Sequence, residues 1–268
     1  MDIIKQLQQE LQIGRQQVEA AVKLIDEGNT IPFIARYRKE ATGSLNDEVL
    51  RNLDERLRYL RNLEERKEQV ISSIREQEKL TPELEKQIQD APTLVAVEDL
   101  YRPYRPKRRT RAIIAKEKGL EPLANVISLQ MIKEPLEQIA KDYVSEEKGV
   151  ATVKDAIAGA KDILAETVSD NAEYRTYIRK ATMEQGMLSS SAKDETVSSV
   201  YEMYYNHEEP VKKVAGHRIL ALNRGEKEKI LTVKITAPRD QILRFLEKQL
   251  ILRDNPYTTP VLQEVAED

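Results

Sequence analysis

One uninterrupted segment constrains the fold more than any other: from Asn46 to Glu78 the chain contains neither glycine nor proline. Within it, apolar residues recur at spacings of three and four, which places them on one face of a helix. They are Leu50, Leu53, Leu57, Leu60, Leu63, Val70, Ile71 and Ile74. The pattern predicts one long helix, which would span roughly 50 Å at a rise of about 1.5 Å per residue.

The apolar stripe of this helix is interrupted in its middle by Glu64 and Lys67. Charged residues at core positions disfavour a free, regular coiled coil. The sequence "KLTPELEKQIQDAP" instead predicts a return arm, because Thr81 is a suitable N-cap residue and Pro82 suits the first helical position. We therefore expect an intramolecular helical hairpin.

Two shorter helices are predicted before the long one, in "DIIKQLQQELQI" and "RQQVEAAVKLIDEG", with Gly14 between them. This arrangement predicts a helix-turn-helix-like N-terminal part. Such a pair can read DNA, but most pairs of this kind in helical proteins are plain αα-hairpins. The spacing alone is therefore a weak signal for DNA reading.

The rest of the chain favours a mainly α fold class, an elongated multi-helix assembly with at most one or two short strands near the C-terminus. Charged residues make up 33% and aromatic residues only 5%, a balance that suits amphipathic helices. One segment, "KEKILTVKITAP", alternates like a strand, and its partner is expected in "GHRILALNRG", elsewhere in a longer protein or in another chain. The polar run "MLSSSAKDETVSS" predicts a mobile loop.

Three segments are predicted as domains. Residues 1–45 form the unit of short helices, and residues 46–185 contain the long-helix hairpin and a helical core. Residues 186–268 form a mixed segment with one strand, leading to further domains. The sequence "AIAGAKDILAE" in the second segment contains Ala156, Gly159 and Ala160, whose small side chains permit close helix packing.

Composition excludes several kinds of site. The chain has no cysteine and only two histidines, so disulfides and most zinc sites are excluded and no metal is expected. The N-terminus resembles neither a secretory signal nor a membrane anchor, which favours a cytoplasmic protein without membrane contact. The 43 basic and 46 acidic residues give a formal charge of −3, so attraction for polyanions must come from local clusters.

The densest basic cluster lies in "EDLYRPYRPKRRTRA", and residues 102–111 of it are called the basic segment below. Its cations are Arg102, Arg105, Lys107, Arg108, Arg109 and Arg111. Pro103 and Pro106 exclude regular helix there. We expect some of these cations to bind phosphates without sequence preference. The alternative is that they pair with glutamates of the long helix, such as Glu55, Glu64, Glu65 and Glu68.

Tyr101 and Tyr104 are interleaved with these cations, and tyrosines in such a setting can stack on unpaired bases. They follow an apolar helix end that needs to be covered, however. We therefore expect both tyrosines to pack as structural anchors.

A second cluster of cations, Arg36, Arg38 and Lys39, is called the basic patch below. Pro32 predicts a short helix there, with Phe33, Ile34 and Tyr37 on its apolar face and the three cations on the other side. The patch is a further candidate for phosphate contact. The alternative is an ordinary solvated helix face, and the sequence alone favours this alternative.

No motif in the sequence favours catalysis. There is no glycine-rich phosphate loop and no Ser-His-acid pattern, and the acidic pairs lie in helical stretches where solvated charge is the default. His217 is the one candidate for acid-base chemistry, and a structural role suits it better. We expect a non-catalytic chain that needs no cofactor.

Several strings in order, among them "IPFIARYRKE", "DLYRPYRPKRRT", "AIAGAKDILAE" and "HRILALNRGEKE", closely resemble the Tex family of bacterial transcription accessory proteins. The resemblance runs from about Leu11 to Leu252. It implies that the chain is the N-terminal part of a longer protein, which continues into an RNase H-like domain of the YqgF type, helix-hairpin-helix elements and an S1 domain. In the family the S1 domain is regarded as the main nucleic-acid binder.

The resemblance and the basic segment together predict a non-catalytic helical scaffold that makes sequence-independent contact with RNA or DNA. RNA polymerase or other transcription machinery is a further expected partner, because the family is similar to a eukaryotic elongation factor that binds it. The alternative is a protein-interaction platform that docks RNA polymerase or the other Tex domains and does not bind nucleic acid.

Overall fold

The computed structural model describes residues 2–268 and confirms the mainly α fold class. Those residues form fifteen α-helices and one small sheet. The chain divides into two compact units, the first ending at Tyr104 and the second extending from Arg105 to Asp268. The three segments predicted from the sequence, with limits at residues 45 and 185, stay a prediction.

The first unit is helical. Its helices are α1 (Ile3–Leu11), α2 (Arg15–Asp26), α3 (Ile31–Tyr37), α4 (Lys39–Thr42), α5 (Asp47–Glu76), α6 (Pro82–Asp90) and α7 (Leu94–Tyr101). The first two confirm the helix-turn-helix-like N-terminal part. Their apolar faces meet α3 and the N-terminal half of α5 in one hydrophobic cluster, which contains Leu7, Val18, Ile34 and Leu50.

The long helix α5 confirms the prediction within two residues at either end. It begins where the Asn46 side chain accepts a hydrogen bond from the backbone N–H of Val49 at 2.8 Å, and Asp47 and Glu48 add negative charge to its first turn. Its C-terminal half packs with α6 and α7 around Leu63 and Ile74. The predicted hairpin is therefore confirmed.

Lys67, which interrupts the apolar stripe, is only 4% exposed. Its ammonium donates a hydrogen bond to the carbonyl of Gln89 at 2.7 Å and lies 2.9 Å from a carboxylate oxygen of Glu64. Carbonyls in the last turn of a helix carry partial negative charge, and Gln89 lies in the last turn of α6. The buried lysine thereby joins α5 to α6.

The second unit contains the remaining elements. They are α8 (Arg111–Glu117), α9 (Glu121–Leu129), α10 (Leu136–Ala140), α11 (Val153–Asp170), α12 (Ala172–Gln185), β1 (Met187–Ala192), β2 (Asn206–Pro210), α13 (Gly216–Lys227), β3 (Leu231–Thr236), α14 (Arg239–Leu250) and α15 (Thr259–Glu267). Helix α11 is the centre of the helical part, and α8, α9, α10 and α15 pack around it.

The predicted close packing at Ala156, Gly159 and Ala160 is confirmed. Both alanines are fully buried, and a Cβ atom on Gly159 would lie 2.4 Å from a methyl carbon of Leu120 and 3.3 Å from the Cβ of Ala115. A side chain at position 159 would push α8 and Leu120 away from α11. This contact packs the C-terminal part of α8 against α11.

The sheet has three strands, one more than predicted, in the order β2-β1-β3 with both pairs antiparallel. The sequence prediction located β3, but the first partner that it named was wrong. The "GHRILALNRG" segment lies in α13, and β3 pairs with β1 from the "MLSSSA" run that was taken for a loop. Ser190 explains the error: it is 5% exposed and its hydroxyl donates to the carbonyl of Tyr204 at 2.7 Å, so a serine occupies an inward strand position.

Candidate nucleic-acid interface

The basic segment is a turn and an extended stretch between two helices. It begins after α7 ends at Tyr101 and runs to Arg111, the first residue of α8. Thr110 caps that helix, and its hydroxyl accepts from the backbone N–H of Ile113 at 3.1 Å. Pro103 and Pro106 keep the residues between them out of regular structure, as predicted. The side chains of this segment are therefore positioned one by one and not as a helix face.

The tyrosines beside the segment pack into the first unit. Tyr101 is 8% exposed, its hydroxyl lies 3.0 Å from the Ser73 hydroxyl, and its ring lies beneath the guanidinium of Arg66. Tyr104 is partly buried, and its carbonyl accepts from the Gln77 side chain at 3.0 Å. The expectation that these tyrosines are anchors is confirmed for Tyr101, and Tyr104 packs on the same cluster.

Lys107 is held by carboxylates. Its side chain is 22% exposed, its ammonium makes a very short contact with Asp170, and Glu166 lies 3.4 Å away. The Asp170 side chain is only 10% exposed, so this pair is largely shielded from water by the surrounding protein. An ammonium with two close carboxylates offers little net positive charge to a phosphate.

Two arginines of the segment make exposed ion pairs. Arg109 donates to Glu117 at 2.7 Å, and Arg111 pairs with Asp268 at 2.9 Å and with Asp162 at 3.4 Å. The arginine side chains remain 69% and 71% exposed. Pairs of this exposure stabilise a fold by only about 0–1 kcal/mol, so a phosphate can compete for either guanidinium.

The remaining arginines of the segment face solvent. Arg105 and Arg108 are exposed, and neither makes an ion pair or a side-chain hydrogen bond within residues 2–268. Arg102 is exposed as well, although it has an interaction partner. The segment therefore mixes cations that are held with cations that are available.

The acidic partners differ from those expected. The sequence pointed to glutamates of the long helix, whereas Lys107, Arg109 and Arg111 pair with carboxylates of the second unit. Three of those carboxylates, Asp162, Glu166 and Asp170, lie on α11 at spacings of four, which places them on one helix face. That spacing in "DILAETVSD" was the signal that sequence reasoning overlooked.

The basic patch lies where α3 ends and α4 begins. Arg36, Arg38 and Lys39 are exposed, and none of the three makes an ion pair within the described part of the chain. Arg38 donates to the carbonyl of Tyr37 at 3.2 Å, and its guanidinium lies 5.1 Å from the centre of the Phe33 ring. These contacts orient Arg38 without neutralising its charge.

The prediction for Tyr37 was wrong. The sequence placed it on the apolar face with Phe33 and Ile34, but Tyr37 is 64% exposed while Ile34 is fully buried. The α3 helix ends at Tyr37, and the backbone of Arg38 leaves helical geometry. The last residue of this seven-residue helix therefore points its ring outward, next to the cations of the basic patch.

Gln17 of α2 ties down the end of the patch. Its side-chain amide donates to the carbonyls of Thr42 at 3.2 Å and Gly43 at 3.1 Å. Gly43 has a φ of +60°, and a Cβ atom there would lie 2.7 Å from the Gln17 amide nitrogen. The left-handed backbone conformation favours glycine at this turn, and a side chain there would displace the Gln17 amide.

The histidines form no constellation typical of catalysis. His217, the candidate from the sequence, is exposed on α13. His207 lies 3.0 Å from a carboxylate oxygen of Glu209, whose other oxygen accepts from Arg218. Among residues 2–268, no group of three or more His, Asp or Glu side chains is arranged to hold a metal ion. No helix in that range combines the length and apolar character needed to cross a bilayer.

Two family models match the chain. The first, described as "Tex-like protein N-terminal domain", matches residues 1–75 and includes the basic patch. The second, described as "Tex central region-like", matches residues 132–255. The basic segment lies between the two matched ranges.

Similar curated proteins come from bacteria and animals. Protein YdcI of Bacillus subtilis is 47% identical over 267 residues, which is 98% of this chain and 37% of YdcI. Protein tex of Bordetella pertussis is 45% identical over 240 residues, covering 89% of this chain and 30% of that protein. The human "S1 RNA-binding domain-containing protein 1" is 29% identical, covering 80% of this chain and 22% of that protein. The chain thus spans between about a fifth and two fifths of these relatives.

Proposed function

The chain belongs to the Tex family of transcription accessory proteins, and from that premise we propose that it acts as a non-catalytic helical scaffold that contacts RNA or DNA without sequence preference. In this contact, exposed arginine and lysine side chains bind the phosphates of the nucleic acid. The proposal extends the transcription-related role of the family to a direct contact by this N-terminal region. It assigns no chemical step to the chain.

One observation carries the proposal: five exposed cations of the two basic regions have no carboxylate partner within residues 2–268. They are Arg105 and Arg108 of the basic segment and Arg36, Arg38 and Lys39 of the basic patch. Other cations of the chain are neutralised internally, as Lys107 is by Asp170. Cations that remain unpaired are available to release counterions from a nucleic-acid backbone.

The other cations of the basic segment differ in their expected contribution. Arg109 and Arg111 can exchange their exposed carboxylate partners for phosphates, so they add to affinity at low salt. Lys107 is excluded from the proposed interface, because Asp170 and Glu166 already neutralise it in a partly buried site. The name of the human relative, which refers to RNA binding, supports a nucleic acid as partner.

The test is fluorescence anisotropy with labelled single-stranded RNA and duplex DNA, titrated with the 268-residue chain at 50 mM and 200 mM salt. The test variant changes all five unpaired cations to glutamine, and the control variant makes the same change at Arg15, Arg51, Arg58, Arg61 and Arg75, which are ion-paired. We expect wild type and control to bind with a steep salt dependence, and the test variant to bind weakly with a shallow one. Absence of binding by wild type at 50 mM salt would contradict the proposal.

A protein-docking function is the second candidate, and an apolar groove in the second unit favours it. Helix α13 and strand β3 line a groove of about 440 Å³, and two large apolar side chains there are exposed: Ile219 at 44% and Ile235 at 59%. Exposed apolar clusters of this kind often mark protein interfaces. The docked protein would be RNA polymerase or the remaining part of a Tex polypeptide.

This candidate makes the opposite prediction for salt. Binding of purified RNA polymerase through the groove should persist at 200 mM salt, because salt screens interactions between charges and not apolar contacts. Changing Ile219 and Ile235 to serine should abolish it, while changing Leu129 and Met131, which are also exposed, should not. Equal binding by both variants would exclude the groove as the docking site.

A further inference from the structure

Tyr37 is the one aromatic residue of the two basic regions that is largely exposed. It is 64% exposed, whereas Tyr101 is 8% exposed and Tyr104 is partly buried within the described chain. Exposing a tyrosine ring to water forgoes the favourable burial of apolar surface. An exposed ring beside unpaired cations is therefore available to a ligand that combines an apolar planar surface with negative charge.

Neighbouring side chains keep the ring in place. The Phe33 ring centre lies 5.3 Å from that of Tyr37 with the planes tilted by 45°, and Arg38 lies over Phe33 while donating to the Tyr37 carbonyl. Gln17 holds the following turn through Thr42 and Gly43. A stacking surface that is already ordered loses less conformational entropy on binding than a mobile one.

The charges beside the ring define the class of ligand. Arg36 and Lys39 flank Tyr37 and Arg38 in sequence, and all three cations are exposed without carboxylate partners among residues 2–268. Nucleic acid supplies both planar bases and phosphates at short spacing. In a duplex the faces of the bases are stacked on one another, so only a single strand can offer a base to the Tyr37 ring.

We infer that Tyr37 stacks on an unpaired base of single-stranded RNA or DNA while Arg36, Arg38 and Lys39 contact the adjacent phosphates. This inference rests on the proposed nucleic-acid function and deepens it, because it gives the basic patch a preference for single strands over duplexes. The basic segment, whose tyrosines are packed into the first unit, contributes phosphate contacts alone. Stacking is tolerant of sequence, so the preference is for strand state and not for particular bases.

The first experiment compares Tyr37→Ala with Tyr37→Phe on three labelled ligands of equal length: oligo(dT), an abasic deoxyribose-phosphate strand and duplex DNA. We expect Tyr37→Ala to weaken oligo(dT) binding by about 5- to 100-fold and to leave the abasic strand and the duplex within twofold of wild type. Tyr37→Phe keeps the ring and should bind like wild type. Circular dichroism checks that both variants are folded. We expect them to be, because the Tyr37 side chain is largely exposed.

The outcomes separate this inference from the proposed function. If wild type binds none of the three ligands at 50 mM salt, both fail. If wild type binds but Tyr37→Ala binds oligo(dT) equally well, phosphate contact stands and stacking is refuted. If Tyr37→Ala weakens all three ligands equally, Tyr37 has a structural role and stacking is likewise refuted.

A second experiment uses the absence of tryptophan from the sequence. In Tyr37→Trp the only indole would lie at the stacking position, and its fluorescence should be quenched by oligo(dT) but not by the abasic strand. Tyr257→Trp is the control, because Tyr257 is a tyrosine of the second unit that is 36% exposed. Equal quenching of both indoles, or of neither, would overturn the inference.

Discussion

The two basic regions of this chain use similar residues, but their surroundings treat the positive charge differently. In the basic segment, the carboxylates of α11 and its neighbours pair with Lys107 and Arg111, and Glu117 pairs with Arg109. In the basic patch no cation has a carboxylate partner within residues 2–268, and an exposed tyrosine lies among them. The region with more cations in the sequence is therefore not the region with more available charge per residue.

The largest expected effect tests whether Lys107 is structural. Lys107→Met should lower the free energy of unfolding by about 3 kcal/mol, because it leaves the screened carboxylates of Asp170 and Glu166 without their ammonium. Its effect on nucleic-acid affinity should be less than twofold. Urea denaturation followed by circular dichroism measures the first quantity, and anisotropy measures the second.

Arg108→Met is the matched control, since Arg108 has the same kind of charge in the same segment but is exposed and unpaired among the described residues. It should change the free energy of unfolding by less than about 0.5 kcal/mol and should weaken nucleic-acid binding. The reverse pattern, in which Lys107→Met weakens binding and leaves stability unchanged, would mean that Lys107 faces the ligand.

The next effect concerns the basic patch. Changing Arg36, Arg38 and Lys39 to glutamine should remove three phosphate contacts, which corresponds to roughly 30-fold weaker binding near 50 mM salt and a slope against log salt that is shallower by about 2 for single strands. Stability should be unaffected because all three side chains are exposed. Anisotropy over a salt series measures both the affinity and the slope. An unchanged slope would show that the patch makes no phosphate contact.

The basic segment should give a smaller loss. Arg105→Gln together with Arg108→Gln removes two unpaired cations, so affinity should fall roughly tenfold. Arg109→Gln together with Arg111→Gln should cost less, because those guanidinium groups must first leave Glu117, Asp162 and Asp268. Comparing the two double variants by anisotropy at one salt concentration measures how much the internal ion pairs reduce the contribution of Arg109 and Arg111 to nucleic-acid affinity. Equal losses would mean that the exposed pairs offer no competition to phosphates.

Most of the helical framework could be predicted from the sequence because its signals are local. The glycine-free apolar stripe defined α5, and Thr81 with Pro82 defined the start of α6. Strand β1 could not be found in this way, since its buried Ser190 depends on the distant carbonyl of Tyr204. The pairing of a strand is a non-local property that a short polar run does not reveal.

The candidate site was less predictable than the fold, for a related reason. The proline positions correctly indicated an irregular segment. The apolar end of the preceding helix correctly indicated that Tyr101 packs inward, because that apolar surface has to be covered. Whether a cation is available, however, depends on which carboxylates the fold brings to it. Only the spacing of Asp162, Glu166 and Asp170 on α11 hinted at that, while the outward direction of Tyr37 depends on where a short helix stops.

The smallest expected effect extends the comparison to a paired cation in the same unit as the basic patch. Arg56 makes two hydrogen bonds to Glu10, at 2.5 and 2.8 Å, and these bonds lower the pKa of Glu10 below its ordinary value of 4.5 despite the opposing effect of partial burial. Arg56→Gln should therefore leave nucleic-acid affinity unchanged and reduce stability at pH 7 by at most about 1 kcal/mol.

The stability difference should also depend on pH in a defined direction. Because the pKa of Glu10 is lower in the folded state, its ionised form stabilises the fold fully above the unfolded pKa, and that stabilisation is lost as pH falls through the folded pKa. Wild type and Arg56→Gln should thus differ in urea denaturation at pH 7 and converge as the pH falls well below 4.5. If they differed equally at both pH values, the loss would come from the contact of the Arg56 guanidinium with the Tyr59 ring and not from the ion pair with Glu10. Pairing with Glu10 would then not be what distinguishes Arg56 from the cations of the basic patch.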